Sequence, residues 1–378
     1  MLDVKLLNGY SITSFLEYMY GFAGVIKTVL DGPISVNGRG RSIDYVNQWN
    51  DSEVNVHKAG GRVDRVDVKV DIPEEAGGRA GLQKVLEIDF GRGAPSLKRI
   101  KKGFEALHED GDDAVMALFR GPFKVTDSDS ARYDGGVPNY ARGSEGNDRF
   151  FMKGGNDVVE GSDGKDRVFG GPGFDGMRYQ DLDATGPGLE LRSRKGKFVV
   201  DKPGAAGKDR LKDVEGVTGT NGDDDMRSKL RFDVRFDGTG GDDFLRTGRG
   251  DDTLIGGSGS DTLRGGKGGD VLVAGSGFGG GSADVDLLFG QRGADLFVIG
   301  GGFGASGRAV IRDFKNGQDV IGVVDGNFAD LEFARDGRHT EISLDGQVIA
   351  QVNKTPPRRF DREDFYQDFE PGILLDWF

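Results

Sequence analysis

Aspartates recur every nine residues in two segments of this 378-residue sequence. The first segment reads GSEGNDRFF, MKGGNDVVE, GSDGKDRVF and GGPGFDGMR over residues 143–178, and the second reads GTGGDDFLR, TGRGDDTLI, GGSGSDTLR and GGKGGDVLV over residues 238–273. In every unit the sixth residue is aspartate and the eighth is apolar. Repeated carboxylates of this kind can share cations, because hard divalent cations such as calcium prefer oxygen ligands.

Three more units extend the pattern outside these segments. A lone copy, GTNGDDDMR, begins at Gly219, and two units follow a glycine-rich insertion of seven residues around residues 277–282, the last of them reading GQRGADLFV. The candidate metal ligands are the aspartates at the sixth position, Asp148, Asp157, Asp166, Asp175, Asp224, Asp243, Asp252, Asp261, Asp270, Asp286 and Asp295.

The nine-residue period predicts a turn of six residues followed by a strand of three. The apolar eighth residue then points inward and its neighbours point outward, since side chains alternate along a strand. Two units complete one coil, so units two apart stack about 4.8 Å from each other. This stacking predicts the neighbours Asp148 and Asp166, Asp157 and Asp175, Asp243 and Asp261, Asp252 and Asp270, Asp261 and Asp286, and Asp270 and Asp295.

Stacked carboxylates need a counter-charge. Two of them at about 5 Å repel by roughly 1–3 kcal/mol at effective dielectric constants of about 80 to 20. Calcium fits best, because it accepts six to eight oxygens in flexible geometry, whereas magnesium prefers tight octahedra and zinc prefers nitrogen or sulfur. The turns offer backbone carbonyls beside the carboxylates, and the candidates are those of Gly161, Asp163, Gly164, Gly256, Ser258, Gly259, Gly265, Lys267 and Gly268.

The pattern G-G-x-G-x-D-x-U-x, where U is apolar, resembles the RTX (repeats-in-toxin, hemolysin-type) calcium-binding family. After the repeats, the segments Ala309–Phe314 and Gly317–Ile321 resemble the strand pair that often closes an RTX roll. The resemblance implies a protein that binds several calcium ions, about six if stacked pairs share them. It also implies a bacterial protein that leaves the cell through a type I secretion transporter and folds outside in calcium.

Composition excludes several other classes of protein. The 66 glycines disfavour a conventional helical enzyme, and only 11 prolines with no Gly-X-Y period exclude collagen. The 63 acidic against 50 basic residues give a net charge of −13, which disfavours nucleic acid as a partner. The sequence has no cysteine, no visible N-terminal signal peptide and no predicted transmembrane segment, and its C-terminal residues Leu374–Phe378 resemble type I secretion signals.

The predicted fold class is mainly β: a parallel β-roll, or solenoid, of nonapeptide repeats with caps at both ends. The N-terminal cap or small mixed α/β domain covers residues 1–118, and the first repeat block, degenerate at its start, covers 119–178. A strand-rich spacer covers 179–218, the second repeat block 219–298, and a C-terminal β cap 299–378. The spacer predicts one or two strands and no ligand.

Local patterns add a few elements to this outline. Alternation predicts strands over residues 66–72 and 86–90, and apolar spacing predicts helices over residues 14–30 and 97–107. The ten residues 228–237 offer either Asp233 or Val234 at the ligand position, depending on register.

No catalytic motif stands out: HExxH, GxSxG and GxxxxGK[ST] are all missing from the sequence. The sequence therefore favours a non-catalytic, secreted calcium-binding protein of a matrix, surface or adhesion, with an extracellular polysaccharide or surface as a candidate partner. The alternative is a secreted enzyme whose N-terminal domain acts on a polysaccharide or lipid, with the roll as a secretion and folding module. A pocket with paired carboxylates within residues 1–118 would favour the enzyme.

Overall fold

The computed structural model describes residues 139–366 apart from short gaps, and it describes the earlier chain only as separate strands. The gaps fall at 143–145, 153, 181, 183–185, 205–206, 276–283, 301–306, 325 and 327. The chain forms two compact units, one of Met1–Gly176 with Ala206–Val214 and the other of Met177–Ala205 with Glu215–Phe378.

Six strands are described before residue 139. They are β1 (Leu2–Leu6), β2 (Ser42–Asn47), β3 (Ser52–Ala59), β4 (Arg62–Asp71), β5 (Leu82–Asp89) and β6 (Phe123–Asp127). Strands β2 to β5 pair antiparallel in chain order, and β1 lies between β5 and β6. The strands predicted at 66–72 and 86–90 therefore overlap with β4 and β5, each except for its last residue, whereas both predicted helices lie outside the described residues.

The repeats of the first unit form parallel strands. These are β7 (Asn139–Arg142), β8 (Arg149–Phe151), β9 (Asp157–Glu160), β10 (Arg167–Phe169) and β14 (Lys208–Lys212). Strands β6, β8, β10 and β14 are neighbours in one sheet, and β7 pairs with β9 in another. Consecutive repeats thus alternate between two sheets, as a coil of two units requires.

The second unit repeats this arrangement over more strands. Its first sheet contains the parallel strands β12 (Pro187–Ser193), β16 (Asp223–Arg227), β18 (Phe244–Arg246), β20 (Thr262–Lys267), β22 (Val285–Arg292) and β24 (Arg308–Ile311). Its second sheet contains β15 (Gly216–Thr218), β17 (Arg235–Asp237), β19 (Thr253–Ile255), β21 (Val271–Val273), β23 (Leu296–Ile299), β25 (Val320–Val323) and β29 (Phe365–Tyr366). The strand β11 (Gly176–Arg178) belongs to GGPGFDGMR, the last repeat of the first segment. The protein is therefore mainly β with parallel sheets, consistent with the predicted roll.

The eighth residue of each repeat builds the core. Each of these side chains is at most 1% exposed, and they are Phe150, Val159, Val168, Met177, Met226, Leu245, Leu254, Leu263, Leu272, Leu288 and Phe297. Identical positions meet across neighbouring strands, as Leu245 meets Leu263 and Leu254 meets Leu272. The apolar eighth residues of the repeats thus form the hydrophobic core between the sheets.

The spacer and the C-terminal part depart from the repeat pattern. Strand β12 forms an antiparallel hairpin with β13 (Lys197–Asp201), so the described spacer holds four strands (β12 to β15) rather than one or two. The predicted closing strands do not pair with each other: β24 extends the first sheet and β25 the second. They separate because consecutive strands of a two-sheet coil lie on opposite sides of the core.

A short antiparallel meander follows β25. It consists of β26 (Leu331–Asp336), β27 (His339–Leu344) and β28 (Gln347–Val352), and β28 rejoins the first sheet beside β24. Three 3-10 helices accompany it, at Phe328–Asp330, Pro357–Arg359 and Arg362–Asp364. Five phenylalanines in and beside the meander pack with ring centroids 5.1–5.9 Å apart, and they are Phe314, Phe328, Phe333, Phe360 and Phe365.

Candidate metal sites

All eleven predicted ligand aspartates are buried. Their exposed fraction is at most 5%, with Asp261 and Asp270 at 0% and Asp286 at 5%. Acidic side chains are almost never fully buried unless they are paired or bind a metal. The turns therefore direct a regular series of carboxylates into the protein.

One oxygen of each stacked aspartate joins neighbouring coils. Oδ1 accepts a hydrogen bond from the backbone N–H of the aspartate one coil earlier, at 2.9 Å between Asp243 and Asp261 and at 3.0 Å between Asp261 and Asp286. The structure brings together all six predicted pairs in this way, the others being Asp148 with Asp166, Asp157 with Asp175, Asp252 with Asp270, and Asp270 with Asp295. We call this series of hydrogen bonds between aspartates of successive coils the aspartate ladder. Asp224 also belongs to the ladder, since its N–H donates to Asp243.

The second carboxylate oxygen has a different environment. In the second unit, Oδ2 is buried and accepts no hydrogen bond from any described residue in Asp243, Asp252, Asp261, Asp270 and Asp295. A buried acceptor without a partner costs roughly 1–3 kcal/mol, and more when it is charged. A cation bound beside these Oδ2 atoms would supply the partner that they lack.

The first glycine of the repeat makes room for that oxygen. A Cβ on Gly256 would overlap Oδ2 of Asp261, and a Cβ on Gly265 would overlap Oδ2 of Asp270. Where glycine occupies the first position, a larger residue on the same backbone would therefore displace the carboxylate. The position is not glycine in every repeat, since Met152 and Thr247 occupy it in the repeats of Asp157 and Asp252.

The glycine at the fourth position of the repeat brings the turns of successive coils close together. Gly259 has a φ of +120°, which L side chains rarely adopt, and a Cβ there would overlap the carbonyl oxygen of Gly241 one coil earlier. Among the predicted carbonyl ligands, that of Lys267 accepts the Gly250 N–H at 3.1 Å, and that of Gly265 accepts the Thr247 hydroxyl. A carbonyl oxygen has a second lone pair, so these contacts leave the predicted ligand role open.

The carboxylates also interact with one another electrostatically. The pKa of Asp243 is raised to about 9, chiefly by burial and in addition by the carboxylates of Asp261 and Asp224. Burial raises the pKa of Asp261 and of Asp270 to about 7, with added repulsion from stacked neighbours. For the same main reason the pKa is about 6 at Asp224, Asp252 and Asp286. Without a bound cation, Asp243 therefore holds its proton at neutral pH, Asp261 and Asp270 are partly protonated, and the other three carboxyl groups lose their protons just below neutral pH.

Two ladder members escape the sequence pattern. Asp209 in the spacer is 0% exposed and accepts the Asp166 N–H at 2.8 Å, and Asp319 is 2% exposed and accepts the Asp295 N–H at 3.2 Å. Both lie two residues before an inward apolar side chain, as the sixth residue of a repeat does. That spacing is the signal that could have identified them outside the nine-residue frame.

The open register at residues 228–237 resolves in favour of Val234. This residue is 3% exposed and its N–H donates to Oδ1 of Asp252, so it occupies the ladder position without a carboxylate. Asp233 is exposed and accepts the Asp251 N–H at 2.8 Å instead. The coil at Val234 therefore offers one carboxylate fewer than its neighbours.

The donor set suits calcium. Among the residues that the structure describes, no three acidic or histidine side chains converge on one point. A cation here would combine aspartates of two coils with backbone carbonyl oxygens. Such an all-oxygen set of irregular geometry fits calcium, whereas zinc would require nitrogen or sulfur ligands.

Comparison with known proteins identifies the repeats. Residues 142–177 and 237–272 match the family described as RTX calcium-binding nonapeptide repeat (4 copies), as the sequence pattern predicts. These segments are RTX repeats, and RTX repeats imply calcium binding. No curated protein sequence matches the chain.

Two solved structures resemble parts of the chain. The extracellular lipase LipA from Serratia marcescens matches over 65% of this chain and 40% of its own, with 15% identity and a TM-score of 0.24. The AlgE6R3 subunit from the Azotobacter vinelandii mannuronan C5-epimerase matches over 39% of this chain and 78% of its own, with 21% identity and a TM-score of 0.23. This chain thus corresponds to less than half of the lipase.

Proposed function

We propose that this is a secreted protein that folds when its repeats bind extracellular calcium, and that it serves as a non-catalytic component of a matrix, surface or adhesion. The observation that carries this proposal is the row of buried aspartate oxygens that accept no hydrogen bond from the described residues of the second unit. A folded chain without a cation leaves them unsatisfied, and calcium supplies the missing charge.

Specific residues would hold the ions. Each ion would be shared by aspartates of neighbouring coils, such as Asp243 with Asp261, and by carbonyls of the turns between them, such as those of Gly256 and Ser258. Six stacked pairs give about six ions, since calcium takes six to eight oxygens. Their charge of roughly +12 would offset much of the net charge of −13.

Calcium binding and folding would be coupled. The ladder brings together aspartates that are far apart in an unfolded chain, so most of the site exists only after folding. In a compartment with little calcium, the repulsion between buried carboxylates opposes the fold. Outside the cell, millimolar calcium removes this penalty, which suits export of an unfolded chain.

The route of secretion follows from the same reasoning. We infer a bacterial type I secretion transporter as a partner that reads the C-terminal region, of which residues 367–378 lie outside the described part. Among the described residues no helix is long and apolar enough to cross a membrane.

The enzyme alternative concerns the N-terminal region. This alternative places a catalytic domain acting on a polysaccharide or lipid within residues 1–118, of which only separate strands are described. Paired carboxylates in a pocket there would favour the enzyme, and a filled β cap would favour the structural role. Hydrolysis assays of the calcium-loaded chain on polysaccharide and ester substrates separate the two.

Calcium titration tests the main proposal. Circular dichroism and calorimetry of the full chain, first in EDTA and then at rising calcium, should show a gain of β signal and a higher melting temperature as several ions bind. Magnesium at the same concentrations is the control and should have a much smaller effect. Identical spectra and melting temperatures in EDTA and in calcium would refute calcium-coupled folding.

A further inference from the structure

Arginines stack in register on the outer face of the first sheet of the second unit. The ninth residues of neighbouring parallel strands lie side by side, and strands of a sheet are about 4.8 Å apart. The resulting column runs Arg192, Arg227, Arg246, Arg264 and Phe289. Four positively charged arginine side chains therefore lie side by side on four adjacent strands.

This column opposes the stability of the sheet. Like charges on adjacent strands are destabilising, and two guanidinium groups at about 5 Å repel by roughly 1–3 kcal/mol at dielectric constants of about 80 to 20. The chain has 63 acidic residues and a net charge of −13, yet acidic side chains do not alternate with these arginines along the column. Anions from outside the chain would relieve the repulsion.

Only one end of the column is neutralised from within. Arg192 and Arg227 contact Asp225 at 2.7 Å and 2.6 Å. Arg246 and Arg264 form no ion pair with any described residue, and the buried Nε of Arg264 donates no hydrogen bond there. The charges of Arg246 and Arg264 are thus not neutralised by any described acidic side chain.

Aromatic rings pack against two guanidinium groups of the column, those of Arg264 and Arg227. The Cζ atom of Arg264 lies 4.6 Å from the ring centroid of Phe289 and 5.5 Å from that of Phe244, and Arg227 lies 4.4 Å from Phe244. A guanidinium stacked on a ring keeps its N–H edge free for a carboxylate or sulfate, which it can bind with two parallel hydrogen bonds. The outward residues of β18, β20 and β22 include no acid and form what we call the basic-aromatic face: Phe244, Arg246, Thr262, Arg264, Leu287 and Phe289.

The first unit has a face of the same composition. Arg149 lies beside Arg167, and Arg167 lies beside Arg210. The rings of Phe151 and Phe169 stack next to them, with centroids 4.9 Å apart and planes 1° from parallel. None of these three arginines forms an ion pair with a described residue. The combination of stacked arginine and phenylalanine therefore occurs twice in separate sets of coils.

We propose that these faces bind an extended acidic polysaccharide, with one carboxylate or sulfate per sugar lying against each successive arginine. This inference rests on the proposed surface role and names its partner. The strand spacing of about 4.8 Å is close to the length of one sugar in an extended chain, so charges can match along the column. Duplex DNA carries a charge every 1.7 Å or so, a density that an acidic protein with a single arginine column would repel.

Binding of chondroitin sulfate to the calcium-saturated full chain tests this proposal. Chondroitin sulfate carries one anionic group per sugar, and neutral dextran is the control ligand. The variant Arg246→Gln/Arg264→Gln should weaken the site of the second unit at least about tenfold, because two charge-assisted bidentate contacts are lost, while the site of the first unit keeps its affinity. The matched variant Arg335→Gln/Arg338→Gln removes two exposed charges from the same unit and should stay within about twofold of the wild type.

Several results would overturn the proposal. They are no binding by the wild-type chain, equal weakening in both double variants, or duplex DNA binding as tightly as chondroitin sulfate and losing as much affinity in the face variant. Calcium-dependent melting of each variant without polysaccharide shows whether it folds, so failure of the proposed calcium function is seen separately. If Arg246→Gln/Arg264→Gln does not fold, Arg149→Gln/Arg167→Gln decides: two sites that both keep the wild-type affinity refute the proposal.

Discussion

Raising the pH should lower the stability of the calcium-free folded protein. Burial raises the pKa of Asp261 and of Asp270 to about 7 and that of Asp243 to about 9, from an ordinary value of 3.8. The metal-free folded chain therefore binds protons that the unfolded chain releases. Such groups contribute full stability below the unfolded pKa and lose it as the pH rises through the folded pKa.

The size of the effect follows from linkage. Between the unfolded and folded pKa values, one carboxyl group lowers the free energy of unfolding by about 1.4 kcal/mol per pH unit. From about pH 5 to about pH 7, Asp261 alone accounts for about 2 kcal/mol. For a domain of about 150–250 residues this is roughly a 4–8 °C fall in melting temperature, and stacked neighbours enlarge it without adding exactly in proportion.

Calcium should reverse the sign of this dependence. A bound cation stabilises ionised carboxylates, so protons compete with calcium and the calcium-loaded protein should melt at a higher temperature as the pH rises. Melting curves by circular dichroism in EDTA and in saturating calcium, each over the same pH series, measure both slopes. A calcium-free melting temperature that stays constant or increases with pH would refute the assignment of these aspartates as a buried, mutually repelling stack.

Three substitutions probe the repeat from other directions. Asp261→Asn should weaken calcium affinity by at least about tenfold in titration calorimetry, whereas Asp233→Asn should have little effect, and equal losses would contradict the register. Gly259→Asn should cost about 1–3 kcal/mol in chemical unfolding with calcium, because its φ of +120° and the tight coil contact exclude a side chain, while Gly337→Asn at a φ of +59° in open space should be nearly neutral. Leu263→Ala should lower the free energy of unfolding by about 2–5 kcal/mol in the same assay. A loss below about 1 kcal/mol would show that the eighth residues of the repeats do not form a packed core.

The repeat arrangement could be predicted because period and stacking are linked. When two units make one coil, residues 18 apart must meet, and Asp243 and Asp261 do so. The seven-residue insertion lengthens this separation to 25 for Asp261 and Asp286 without changing the pairing. The strands before and after the insertion keep their register, so the predicted pairing holds across it.

The prediction fails where structure continues without the repeat frame. Asp209 and Asp319 join the ladders from segments that keep only the Gly-x-Asp-x-apolar part of the repeat, beginning at Gly207 and Gly317, so the full nine-residue frame does not mark them. The hairpin of β12 and β13 satisfies its backbone by antiparallel pairing, which no nine-residue period encodes. At Val234 the extra residue of a ten-residue unit hides the register, and burial of the apolar side chain decides it.

A second ladder shows why the sixth residue is aspartate rather than asparagine. At the fifth position, Asn147 accepts the Lys165 N–H at 2.7 Å and Asp242 accepts the Ser260 N–H at 2.8 Å, so an amide and a carboxylate join coils equally well. If joining coils were the whole task of the sixth residue, asparagine would serve there too. All eleven repeat units nevertheless have aspartate at that position. The choice therefore lies in the second oxygen and its charge, which oppose folding without a cation and favour it once calcium binds.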